Sequence, residues 1–485
     1  MSEKNTMTRN AVLFLPAKIV EGILLLMVSS LYTRIFLDTA FSDYGYVNMT
    51  VNYAHLLTAT WMSLGNTRYV AAEYQKDKAA GLFSTTSVIY ALICGVACAV
   101  CLIGGLATGS SLFFYGAVMF CTYTAFTILN NTMVQLGFIR PAIILSLTSA
   151  SLKLLLAVLF VGGQSNYPTA VPALLANIFA DGIGAVGAVF VLGMPKVVRL
   201  KNFSKDLLKM LLAFGVPLMG VSLCTGTLNM IDRYLIYGFL NKQAFAIYYA
   251  NSSIPSSVFN MLSVAILRGV YPSVLKAWRE SGPEEARSLL GSGVRLYMLV
   301  AFPAAFGLAA VSLPFSRLFF EKGYDAGAPV IALIAFAMVF TNLTEYANKG
   351  FELVQNTKPV MANSIVATLI KIAVSVVLLM RFGFIGGAVG SLVAFAAYFV
   401  ISAVRARKYL MWHVPLATVA RIAGSAALCG LAAYGCTLLP LSDLFRLVVA
   451  VAVGGVVYVA CILLSGEARE EMNALRAKVR GKSEK

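Results

Sequence analysis

Charge is scarce in this chain. Only 12% of its 485 residues are Asp, Glu, Lys or Arg, whereas a soluble domain carries about a quarter. Acids are scarcer still, 21 against 38 basic residues. With 59% of the residues hydrophobic, a water-soluble globular domain is excluded. No G-x-x-x-x-G-K-[ST] segment occurs, which excludes a phosphate loop of that kind and direct drive by ATP. The eight cysteines all lie in or beside apolar stretches. Cys98 and Cys101 have C-x-x-C spacing, but there is no second pair and no nearby histidine. They read as small packing residues, not as a metal or redox centre. No A-x-A-like cleavage site follows the first apolar run, so that run is expected to be a retained span.

What the chain does have is a succession of apolar runs, each long enough to cross a hydrocarbon core of ~30 Å. Fourteen spans are expected, at residues 11–35, 43–66, 82–104, 112–133, 141–162, 169–193, 209–237, 244–267, 295–319, 328–350, 359–380, 384–404, 415–438 and 444–465. If both ends are cytoplasmic and the spans alternate, the cytoplasmic segments hold 27 Lys and Arg and the outer segments 6. That split obeys the positive-inside rule. It also accounts for the net charge of +17 without nucleic acid, because the excess base faces an anionic leaflet. The long connection over 268–294 contains Pro283, Glu284 and Glu285, a helix-start signal that predicts a short surface helix there.

The chain looks duplicated. Arg140-Pro141 precedes Lys153 in the fifth span, and Lys358-Pro359 precedes Lys371 in the eleventh. These residues match at one offset of 218, and so do Ser146 and Ser364. Pro16 and Pro217 fall 201 residues apart, and Arg34 and Arg233 fall 199 apart. The expected fold is an all-α polytopic membrane protein with two pseudo-symmetric six-helix lobes around a central cavity and two C-terminal helices. Residues 1–195 would form the N-terminal lobe and 196–209 a basic cytoplasmic linker. Residues 210–408 would form the C-terminal lobe and 409–466 spans 13 and 14. The cytoplasmic tail over 467–485 carries Met472, Leu475 and Val479 at helical spacing, which suits a surface-lying helix or a solvated end equally.

Charges at bilayer depth are costly and mark substrate or ion paths. Lys153 and Lys371 each lie about 20 Å along a helix from its inner end, too deep to snorkel easily. They read as cavity-facing binders of a pyrophosphate or acidic sugar, or as partners of neighbouring carboxylates that hold the lobes. Asp181, in the sixth span, is the natural partner for Lys153 and a candidate proton or sodium site. Lys18 and Glu21 share a helix face and either neutralise each other or divide substrate binding and ion coupling between them. Arg34 and Arg233 occupy equivalent places near outer helix ends and are candidate substrate ligands. Asp232 is next to Arg233 but about 100° away around the helix, and is a further coupling candidate. Asn48, Asn52 and His55 recur at i, i+4, i+7 and form a polar stripe; Asn52 and His55 are candidate cavity-lining residues. The row Glu345, Lys349 and Glu352 reads as a self-compensating interfacial face.

Several segments carry a family resemblance: Phe41 to Tyr46 (FSDYGY), Gly215-Val-Pro-Leu with Asp232-Arg-Tyr, Phe319 to Pro329 (FFEKGYDAGAP), Asn356-Thr-Lys-Pro, and Gly383 to Gly390 (GFIGGAVG). In their order and spacing the chain resembles the multidrug/oligosaccharidyl-lipid/polysaccharide (MOP) exporter superfamily. Within it, the chain is most similar to the polysaccharide transporter branch of Wzx-type O-antigen flippases and lipid II flippase relatives. The resemblance implies a transporter, not an enzyme, in a bacterial cytoplasmic membrane. It would move an undecaprenyl-pyrophosphate-linked oligosaccharide from the inner to the outer leaflet. It further implies no cofactor, and a polysaccharide polymerase or other envelope-assembly proteins as partners. With no ATP site, the energy is expected from an ion gradient such as H+ or Na+, from the membrane potential, or from consumption of the cargo outside. An ion-coupled multidrug antiporter of the same superfamily is the rival reading. Cationic drugs call for acids in the cavity, whereas Lys18, Lys153, Arg233 and Lys371 put base in four spans. A membrane glycosyltransferase would need a sizeable acidic outer loop, and no outer segment exceeds about ten residues.

Overall fold

The computed structural model describes residues 20–467. The expectations for Pro16, Lys18 and the tail from residue 468 onward fall outside the described residues. Residues 20–35 form α1, followed by α2 (Asp38–Thr58), α3 (Thr60–Asp77), α4 (Ala80–Thr108), α5 (Leu112–Gln135), α6 (Ile139–Val161) and α7 (Val171–Val191). Then come α8 (Met194–Val197), α9 (Lys205–Phe239), α10 (Lys242–Glu280), α11 (Pro283–Ala310), α12 (Ser312–Phe319) and α13 (Ala328–Leu353). The chain ends with α14 (Lys358–Phe382), α15 (Phe384–Ala406), α16 (Leu416–Thr437) and α17 (Asp443–Ser465). Among the described residues, 12 helices are long and apolar enough to cross a membrane. The protein is therefore an all-α, multi-pass membrane protein. Backbone groups in hydrocarbon must be satisfied within the segment, and a continuous helix does that.

The first two expected spans correspond to α1 and to α2 with α3. The second is not one helix. It breaks at Ala59, where the backbone turns to φ −121°, ψ −14°. Thr58 Oγ1 donates to the Ala54 carbonyl at 2.7 Å, and Trp61 Nε1 donates to the Thr58 carbonyl at 2.9 Å. Side chains that take up backbone carbonyls in this way compete with the helical ladder. The surface helix expected between residues 268 and 294 is not a separate element. α10 runs to Glu280, and Pro283 opens α11 itself, with Glu284 and Glu285 in its first turn. The start signal is real, but the connection is only Ser281 and Gly282, and Gly282 takes φ +93°, open to glycine at little cost.

The helices pack as two compact units, one ending at Tyr249 and the next beginning at Ala250, so the division falls inside α10. In the first unit, Trp61, Met62, Phe83, Met133 and Leu211 share one buried cluster. α9 approaches α3 closely because Gly215 has no side chain; a Cβ there would lie 2.2 Å from the Trp61 carbonyl oxygen. α4 turns Leu92, Val96, Val100, Ile103 and Leu106 outward, as a lipid-facing helix does. In the second unit α13 is largely buried, and Gly390 of α15 seats against Ser375 of α14. Glu467 closes this unit. It accepts from Arg421 Nη1 at 3.0 Å and from Thr418 at 3.2 Å, and Arg295 also pairs with it.

Candidate functional site

Lys153 lies 14 residues into α6, in the first unit. Its Nζ lies 2.9 Å from Asp181 Oδ1 and 3.1 Å from Oδ2, across the α6–α7 hairpin. The Ser149 hydroxyl, one turn before Lys153, donates to Asp181 Oδ1 at 2.7 Å. The lysine side chain is 15% exposed and the aspartate 2%, so the pair is largely out of solvent. Burying two charges costs several kcal/mol each, offset only when geometry and extra hydrogen bonds are good. Both conditions hold here. The Tyr32 hydroxyl of α1 donates to the Lys153 carbonyl at 3.1 Å and ties a third helix to the pair.

A second polar group lies on α2, α9 and the first turns of α10, also within the first unit. Asp232 and Arg233 are neighbours in sequence but diverge in space. Asp232 is buried and accepts a hydrogen bond from the Tyr248 hydroxyl. Arg233 stacks over the Tyr249 ring at 5.4 Å and makes no ion pair among the described residues. The Tyr249 hydroxyl accepts from Asn48 Nδ2 at 2.8 Å, and Asn52 Nδ2 donates back to the Asn48 carbonyl at 2.7 Å. His55 turns the other way. It is buried, bonds Thr124 Oγ1 of α5 at 3.2 Å and meets the Tyr123 ring edge-on. The polar stripe thus splits: Asn48 faces α10, and His55 anchors α2 to α5.

Tyrosines dominate this region. Tyr46 of α2 stacks on Tyr237 of α9 with centroids 4.0 Å apart. The Tyr53 hydroxyl sits 2.8 Å from Thr227 Oγ1, and the Tyr234 hydroxyl donates to Thr50 Oγ1 at 3.4 Å. Tyr46 and Tyr234 stand in segments that carry the family resemblance, but none of these residues is a site candidate by sequence. A signal was there: Tyr44, Tyr46 and Tyr53 crowd one helix, and Tyr234, Tyr237, Tyr248 and Tyr249 crowd a second short stretch. The stripe of Tyr46, Thr50 and Tyr53 also has helical spacing.

The remaining candidates are placed separately. Glu21 is half-buried and Arg34 exposed, both on α1. Lys371, in the second unit, is only 1% exposed, and its Nζ lies 4.7 Å from the centre of the Phe395 ring of α15. The two lysines keep equivalent places in the repeat. One lysine meets a carboxylate across its hairpin and the other meets an aromatic face, a favourable place for a cation out of water. In the Glu345–Lys349–Glu352 row, Lys349 pairs with Glu352 at 2.7 Å and stacks on Tyr271 at 4.8 Å. Among the described residues, no cluster of three His, Cys, Asp or Glu could hold a metal ion.

Long apolar helices with a buried ion pair between two of them make a multi-pass membrane fold. Solved structures share that fold. A structure described as lipid II flippase MurJ in an inward closed conformation superposes with a TM-score of 0.73 at 14% identity, covering 95% of this chain and 100% of that one. An inward-facing multidrug resistance MATE family transporter of the MOP superfamily superposes with a TM-score of 0.64 at 12% identity, covering 81% and 93%. In sequence, a probable low-salt glycan biosynthesis flippase, Agl15 of Haloferax volcanii, is 19% identical over 220 residues, 44% of this chain and 46% of that protein. The chain thus spans about half the length of this curated relative. Residues 72–453 match the lipid II flippase MurJ family, and the chain belongs to that family.

Proposed function

We propose that this protein is a flippase for a lipid-linked glycan. It carries an undecaprenyl-pyrophosphate-linked oligosaccharide, an O-antigen, capsule or related precursor, from the inner to the outer leaflet. The lipid tail stays in the bilayer while the anionic head binds a cationic site exposed alternately to the two sides. The protein sits in a cytoplasmic membrane with both termini inside, and a polysaccharide polymerase or another envelope-assembly protein takes the product. Coupling to H+ or Na+ supplies the energy, with Glu21, Asp181 and Asp232 as coupling candidates. Lys18, Arg34, Lys153, Arg233, Lys371, Asn52 and His55 are the candidate contacts to cargo.

The observation that carries this reading is Arg233. It is a half-buried guanidinium in a membrane helix, it makes no ion pair among the described residues, and a tyrosine face holds it in place. A guanidinium fork matches a phosphate bidentately. The acids nearby are engaged, since Asp232 bonds Tyr248 and Asp181 bonds Lys153. That favours an anionic cargo over the cationic drugs of an antiporter.

The test is depletion of the protein in cells. A lipid-linked glycan should accumulate in the inner leaflet, and Arg233→Gln should fail to clear it while inserting normally. Normal surface glycan on depletion, with a new sensitivity to cationic drugs, would instead establish the antiporter.

A further inference from the structure

The tyrosine stack on α2 and α9 is not explained by helix packing alone. Tyr53 with Thr227, and Tyr234 with Thr50, are interhelical hydrogen bonds of the kind that join membrane helices. Tyr46 and Tyr237 differ. Their rings stack, both are half-buried, and neither hydroxyl has a hydrogen-bond partner among the described residues. Thr50, one turn below Tyr46, is exposed. Tyr237 lies two residues from the end of α9, near the Lys242–Asp43 ion pair, so these half-buried hydroxyls are open to a polar group from outside the protein, which a phenylalanine stack would not offer. The hydroxyls call for a polar ligand. The rings beside them call for one with an apolar face, the mixture that small-molecule sites commonly present.

Position along α9 narrows the ligand. Tyr237 follows Arg233 by four residues, so the two share a helix face about 6 Å apart along the axis. A group bound at Tyr237 is therefore adjacent to a phosphate bound at Arg233. Acyl chains and protein side chains do not combine hydroxyls, a ring face and an attached phosphate; a glycosyl phosphate does. We infer that Tyr46 and Tyr237 form a saccharide subsite that takes the sugar joined directly to the pyrophosphate of the cargo. This rests on the flippase reading above and adds to it the place where the glycan, as distinct from its phosphate, is recognised.

The experiment is photo-crosslinking in cells making the full chain, with benzoylphenylalanine introduced singly at Tyr46, Tyr237, Arg233 and the lipid-facing Val96. Adducts bearing saccharide at Tyr46 and Tyr237 but not at Val96 support the subsite. Capture of lipid-linked glycan at Arg233 alone overturns it and leaves the flippase reading intact. Capture of lipid-linked glycan at no position overturns both. A milder variant guards against misfolding. Tyr46→Phe combined with Tyr237→Phe keeps the stack and removes only two hydroxyls. Export should slow about tenfold at unchanged protein level, the size of two ordinary hydrogen bonds lost. Unchanged export in this variant also overturns the subsite.

Discussion

Lys153 and Asp181 show how a pair can be both necessary and replaceable. With the lysine 15% exposed and the aspartate 2%, removing one member strands the other charge in the protein. Asp181→Asn should therefore destabilise the first unit by about 3 kcal/mol, whereas Lys153→Met with Asp181→Leu should recover most of that loss. Thermal unfolding in detergent decides the matter: a single variant as stable as the wild type would mean that the pair carries little structural weight. Export is a separate readout, and if Asp181 couples an ion, the double variant should be stable yet lose the ion dependence of transport. Lys371 calls for a different substitution. Because its ammonium rests on the Phe395 ring, Phe395→Leu should cost about 1–2 kcal/mol. Phe395→Tyr, which keeps the face, should cost clearly less in the same assay. The sequence placed both lysines at depth and named Asp181 as the partner of the first. It was silent on Phe395, since an aromatic 24 residues away in another helix leaves no periodic trace.

Helices were the most legible level. Spans of about 20 apolar residues, prolines after basic residues and a proline with acids at a helix start all correspond to observed helix positions. Breaks were harder. At the break by Ala59, Thr58 and Trp61 bond to nearby carbonyls, and threonine and tryptophan are also ordinary residues of an unbroken span. The contact of α9 with α3 is equally invisible in the sequence, because Gly215 matters only through what lies against it. Gly215→Val should force the helices apart and cost about 3 kcal/mol or more, lowering the yield of folded protein. Gly238→Ala on the same helix, where no atom lies within 4 Å of an added Cβ, should leave the yield unchanged. Equal losses at both positions would sink the packing explanation, because replacing glycine inside a helix raises helix propensity at both.

The whole molecule is a multi-pass membrane protein of the lipid II flippase MurJ family, and its orientation is open to direct measurement. Ser165, in the exposed loop between α6 and α7, should become reactive from outside as Ser165→Cys toward an impermeant maleimide. Ser281→Cys, at the α10–α11 turn, should react only after permeabilisation. The reverse pattern would invert the topology. Much at this scale could be read from the chain alone: the membrane class, the succession of apolar helices and the repeated lysines. Fourteen spans were expected, and 12 helices among the described residues are long and apolar enough to cross a membrane. Hydropathy and charge bias are sums over one segment, so they need no knowledge of neighbours. Which groups meet is a different kind of fact. That Arg233 rests on Tyr249, that Asp232 turns to Tyr248, and that Tyr46 and Tyr237 stack with their hydroxyls unclaimed depend on residues in separate helices meeting within a few ångströms. Those meetings are set by how side chains and glycines let the helices approach, and only the tertiary structure decides them.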